Sequence, residues 1–65
     1  MSLLTKREKE IFTLLLKTKT TKEIASILRI SEKTVRNHIS NVIQKLGVTS
    51  RSSAIIELLK TKDLT

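Results

Sequence analysis

Apolar residues fall along this chain in four clusters, each preceded by a hydroxyl side chain and each spaced at a helical rather than a strand-like period. Thr5 and Glu8 form a T-x-x-E capping box, in which each side chain satisfies a backbone N–H of the other residue. Ile11, Phe12, Leu14, Leu15 and Leu16 then supply a broad buried face, and the helix fades near Lys17, where Thr18-Lys19-Thr20 interrupts the pattern. A second capping box, Thr20 with Glu23, opens a short helix carrying Ile24, Ala25, Ile27 and Leu28 that stops around Arg29-Ile30. Ser31 is an N-cap for the third helix, with Glu32 in the first turn, where the helix dipole favours a negative charge. Val35, Ile39, Val42 and Leu46 form one apolar stripe, and Gly47 stands where the helix must end in a left-handed residue. Thr49 or Ser50 caps a fourth helix holding Ala54, Ile55, Ile56, Leu58 and Leu59, and beyond Lys60 the pattern predicts fraying. The fold class expected is all-α: a four-helix bundle with helices over residues 5–17, 20–29, 31–46 and 50–61, in one domain spanning 1–65.

The middle of the chain narrows this further. Ala25 is a small residue inside the second helix, where a neighbouring helix must approach closely, and Ile24, Leu28, Ile30 and Val35 surround it with apolar contacts. Two short helices with such contacts cross at roughly 90–120° over a tight turn, the helix-turn-helix unit. That unit presents its second helix to a DNA major groove about 12 Å wide.

Composition agrees with helices and adds a partner. The 65 residues include one Gly, no Pro and no Cys, so neither disulfides nor thiolate metal sites staple the fold. A chain this short buries only about 60% of its unfolded surface, so dimerisation would help its stability. Thirteen Lys and Arg against six acidic residues give a formal charge of +7, which calls for a polyanion: DNA, RNA or an anionic membrane surface. No apolar run approaches the roughly 18 residues of a bilayer span, and Met1-Ser2-Leu3-Leu4 runs into charged residues without a signal-peptide pattern. The expected location is cytoplasmic. Phe12 is the single aromatic, which argues against a stacking platform for single-stranded nucleic acid.

The polar face of the third helix carries the candidate chemistry. Lys33, Arg36, Asn37, Ser40, Asn41 and Gln44 lie opposite the apolar stripe, and none of them is acidic. Ordinary solvated faces interleave Glu with Lys, and this one does not. Arg can bond guanine O6 and N7 in bidentate fashion, while Asn and Gln can do so to adenine N6 and N7. From Lys17 to Lys45 the basic residues are Lys17, Lys19, Lys22, Arg29, Lys33, Arg36 and Lys45, against Glu23 and Glu32 only. Acids elsewhere in the chain leave this segment suited to a one-sided phosphate-binding surface.

Other chemistry is poorly supported. His38, the only histidine, has no Cys or second His for a zinc site and no triad partner at supporting spacing, so a structural or phosphate-adjacent role is expected. No glycine loop can cradle a phosphate, no cofactor is implied, and an enzyme is not expected. Two rivals stay open: a basic RNA- or membrane-associated helical protein held by charge, and a sigma-factor-like module that contacts RNA polymerase. A compact core around Ala25, Ile30 and Val35 speaks against the first. The second keeps the helix-turn-helix and changes its partner.

Thr20-Thr21-Lys22-Glu23-Ile24-Ala25, followed by Ile30-Ser31-Glu32-Lys33-Thr34-Val35-Arg36-Asn37-His38-Ile39, resembles the LuxR/GerE-type DNA-binding domain, including NarL-type response-regulator output domains. Leu4-Thr5-Lys6-Arg7-Glu8 and Gln44-Lys45-Leu46-Gly47-Val48, with Arg51 and Ala54, extend the likeness over nearly the whole chain. The resemblance implies sequence-specific binding of double-stranded DNA by a bacterial transcription regulator, with Arg36, Asn37 and Ser40 at base edges. Ser40 stands where the family often has Lys, which shifts contact toward Asn41 or Gln44. Thr20, Thr21, Lys22, Ser31, Lys33, Thr34 and Lys45 match positions that hold phosphates. The family dimerises through its fourth helix, which implies an interface of Ser52, Ser53, Ile56, Leu59 and Lys60. Thr18 replaces a common Gly, and because a β-branched residue resists positive φ, the turn after the first helix is expected to differ here.

Overall fold

Every helix of this chain begins at a hydroxyl. In the computed structural model, which describes residues 3–64, the helices are α1 (Lys6–Leu16), α2 (Thr21–Leu28), α3 (Glu32–Leu46) and α4 (Arg51–Lys60). The Thr5 hydroxyl accepts from the Glu8 N–H at 3.2 Å, and the Glu8 carboxylate accepts from the Thr5 N–H at 2.9 Å. Thr20 and Glu23 repeat the box at 3.1 and 2.9 Å. Ser31 and Ser50 cap the other two helices alone, accepting from Thr34 and Ser53 at 3.0 and 3.1 Å. Ser50, rather than Thr49, is therefore the start of α4. Each such cap stabilises its helix by about 1 kcal/mol. Met1, Ser2 and Thr65, the outer ends of the expected 1–65 domain, lie outside the described residues.

The helix ends are equally uniform, and here the structure corrects the sequence reading. All four close with a left-handed residue, Thr18 (φ 62), Arg29 (φ 58), Gly47 (φ 67) and Lys62 (φ 61). In each case the next N–H reaches back five residues: Lys19 to Leu14 (3.1 Å), Ile30 to Ala25 (3.0 Å), Val48 to Ile43 (3.2 Å) and Asp63 to Leu58 (2.9 Å). This is the Schellman closure, which satisfies carbonyls that a helix end leaves unpaired. Thr18 does not redirect its turn. It accepts the glycine-like conformation, at a steric cost of about 1–2 kcal/mol, because the alternative leaves those carbonyls unbonded.

Nor does the chain fray after Lys60. The turn at Lys62 folds the backbone over, and Leu64 enters the core with 2% of its surface exposed. The polar run Thr61-Lys62-Asp63 conceals this in the sequence, since the apolar residue follows only after the reversal. Burying a leucine contributes about 1.5–3 kcal/mol, a large share for so small a domain.

The core is one cluster in which Phe12, Ile11, Ile24, Val35, Val42, Leu58 and Leu64 are the largest fully buried side chains. α3 packs against each of the other three helices, and α1 also packs on α2. Leu16, expected on the buried face of α1, is exposed, and so is Ile27 on α2. A helix turning every 3.6 residues cannot bury all five apolar positions of α1 on one side. Among the described residues no helix is long and apolar enough to cross a membrane.

Candidate nucleic-acid interface

Because Val35, Ile39 and Val42 are buried against the other helices, the opposite side of α3 is forced outward. Arg36, Asn37, Ser40, Asn41 and Gln44 are all exposed there, together with Lys33. The five residues expected at base edges thus share one solvent-facing strip on the helix that the rest of the molecule supports. Arg36 is not entirely free: its Nη1 lies 3.7 Å from a carboxylate oxygen of Glu32, one turn earlier. Spacing of i, i+4 made that pair readable from sequence, and charge counting passed over it.

The residues expected at phosphates divide into three groups. Thr20, Thr21 and Lys22 sit at the start of α2, and Ser31, Lys33 and Thr34 at the start of α3, where unpaired N–H groups and the helix dipole favour anions. The Thr20 hydroxyl is used as an acceptor by its cap and retains its own O–H to donate outward. The Ser31 and Thr34 hydroxyls bond one another at 2.8 Å, so of their two protons one remains for an external acceptor. Backbone bonding from Thr20 holds the exposed Glu23 carboxyl below its ordinary value.

Lys45 stands apart. Its Nζ is 2.6 Å from Glu8 Oε1 and 3.5 Å from the Leu3 carbonyl, tying the end of α3 to the start of α1. Among the described residues Glu8 is the one buried charged residue, and its oxygen also serves the α1 capping box. Burial pushes the Glu8 carboxyl upward, but the bonds and charge from Lys45 and the bonds from Thr5 outweigh it and hold the carboxyl below its ordinary value. The two residues are 37 positions apart, so no local signal in the sequence pairs them.

On α4, Ala54 and Leu58 are fully buried and Ile55 partly so. Ser52, Ile56, Leu59 and Lys60 are exposed on the other side, with Ser53 at the edge, and Ile56 and Leu59 show 55% and 43% of their surface. His38 is half-buried at the border of the apolar stripe, and no cluster that could hold a metal occurs among the described residues.

Known proteins share this arrangement. The family described as bacterial regulatory proteins, luxR family, matches residues 2–58. The spore germination protein GerE of Bacillus subtilis (strain 168) is 69% identical over 62 residues, covering 95% of this chain and 84% of that protein. The transcriptional regulatory protein DegU of Brevibacillus brevis is 42% identical over 60 residues, covering 92% of this chain but only 25% of its own length. The solved structure of the transcription factor GerE superposes with a TM-score of 0.97 at 63% identity, covering 100% of this chain and 97% of that one.

Proposed function

Since the chain belongs to the luxR family of bacterial regulatory proteins, DNA-binding transcription regulators rather than enzymes, we propose that it reads double-stranded DNA with α3 in the major groove. The observation that carries this reading is the exposed strip of Arg36, Asn37, Ser40, Asn41 and Gln44, free of acidic residues and backed by a buried core. These side chains supply the donors and acceptors that base edges demand. Arg36 is assigned to guanine, and Asn37, Asn41 or Gln44 to adenine, with Ser40 as a short adaptable contact.

Thr20, Thr21, Lys22, Ser31, Lys33 and Thr34 hold backbone phosphates on the flanks and fix the register of α3. Lys45 contributes less free charge than its position suggests, because Glu8 already neutralises it. Ser52, Ser53, Ile56, Leu59 and Lys60 form the face through which two copies pair, so that each protomer takes one half-site. The exposed Ile56 and Leu59 favour this, since burial between copies removes apolar surface from water. RNA polymerase is a further partner of a regulator bound beside a promoter, and the surfaces of α1 and α2 not committed to DNA are available to it.

Selection from a random duplex library at near-physiological salt tests the reading. The expected product is a short motif, repeated about one helical turn apart. Single half-sites would remove the dimer and keep the readout. No enrichment at all would leave charge as the sole source of binding and overturn the base-reading role of α3.

A further inference from the structure

The acid-free strip on α3 has one acidic neighbour. Glu32 occupies the first turn of the helix, and its carboxylate lies 3.7 Å from Arg36, the side chain best suited to guanine. Both partners are open to solvent, the Arg36 side chain at 58% and Glu32 at 46%, so the pair adds little to stability. The helix dipole accounts for an acid in this first turn, but not for its placement one turn before the arginine of the exposed strip.

We propose that Glu32 is a specificity-determining residue, which restrains Arg36 so that the arginine serves a guanine edge well and a phosphate poorly. The inference rests on α3 lying in the major groove. Guanidinium carries five N–H donors, and the approach to Glu32 is through Nη1 at 3.7 Å, longer than a hydrogen bond, so the fork remains open to O6 and N7. A guanine edge is a neutral acceptor and can share Arg36 with the carboxylate. A phosphate is an anion, and bringing it to Arg36 also brings it to Glu32, which repels it. An arginine whose charge is partly offset by a carboxylate on its own helix also releases fewer counterions when it meets a phosphate. Glu32 therefore weakens complexes made on random DNA more than those made on the cognate site. Discrimination is a difference of affinities, and a repulsive element raises it without any new contact.

The test compares wild type, Glu32→Gln, Arg36→Ala and the double variant on the selected motif and on a random duplex, each over a range of salt. Glu32→Gln is expected to tighten random-DNA binding about fivefold, to change the cognate affinity by less than about twofold, and to steepen the random-DNA salt slope by roughly one. In the Arg36→Ala background the same replacement is expected to do almost nothing. Equal tightening on both DNAs would overturn the proposal, as would an effect that survives the loss of Arg36. Glu10→Gln on α1 removes an acid outside the strip, and an equal effect there would reduce Glu32 to net charge. Lack of any motif preference in the wild type would defeat the groove reading itself. The slope on random DNA would still report whether Glu32 restrains Arg36, and an unchanged slope would defeat the restraint separately.

Discussion

α3 carries two ion pairs of the same chemistry, and they do opposite things. At its far end Lys45 meets Glu8 at 2.6 Å, with the carboxylate side chain only 4% exposed; at its beginning Arg36 meets Glu32 at 3.7 Å, both in water. Removing one partner of a buried pair strands a charge and costs several kcal/mol, whereas an exposed pair is worth about 0–1 kcal/mol. Burial thus separates a pair that holds the helix from one that DNA can rearrange. The distinction sorts the molecule into a scaffold side, where substitutions should move stability, and a readout side, where they should move affinity.

Glu8→Ala should give the largest effect. It deprives the Thr5 N–H of its acceptor and releases Lys45, whose side chain is 34% exposed and can turn to water, so we expect a loss of about 2–3 kcal/mol rather than the full buried-pair value. Urea unfolding measures this directly, and a loss below about 0.5 kcal/mol would erase the contrast with Glu32. Acid should act through the same group. The Glu8 carboxyl titrates below its ordinary 4.5 in the folded protein, so its contribution is present above that value and disappears as pH falls through the lower folded one. Glu8→Gln should flatten the stability profile in that acid range and leave it unchanged near neutrality in shape.

Arg36→Ala probes the other side. Affinity for the selected site should fall by about 1–3 kcal/mol, with discrimination relaxed at one base pair and the melting temperature unmoved. Equal losses on cognate and random duplexes would strip Arg36 of base reading.

Thr18→Gly returns to the scaffold, with a smaller effect of opposite sign. Relief of the left-handed threonine should stabilise by about 1 kcal/mol, the gain being partly offset by the greater freedom of glycine in the unfolded chain. DNA affinity should not change. A loss of stability would mean that the Thr18 hydroxyl, which bonds the Lys17 carbonyl at 2.6 Å, matters more than the strain.

Which parts were legible follows from the range of each interaction. Thr5 with Glu8, Thr20 with Glu23, and the stripe Val35, Ile39, Val42 are contacts within two turns, so spacing alone revealed them. The strip from Arg36 to Gln44 was legible for the same reason, as the complement of that stripe. Leu64 and the left-handed Thr18 and Arg29 were not, because hydrogen bonding at helix ends overrode what each residue prefers locally. Lys45 was expected at a phosphate from the family resemblance, and its pairing with Glu8 depends on how α1 crosses α3, which no local pattern encodes.

Lys33 should separate phosphate holding from base reading with the smallest effect of the series. It is exposed in the first turn of α3, and no pair of 4.0 Å or less joins it to an acid among the described residues. Unlike Arg36 or Lys45 it therefore brings its whole charge to the DNA. Lys33→Ala should weaken cognate and random duplexes by the same factor, less than about fivefold, and lower the salt slope by roughly one unit. Titrations at several salt concentrations give both quantities at once. A slope that stays put would take Lys33 out of the phosphate contacts, and a loss confined to the cognate site would move it among the residues that read bases.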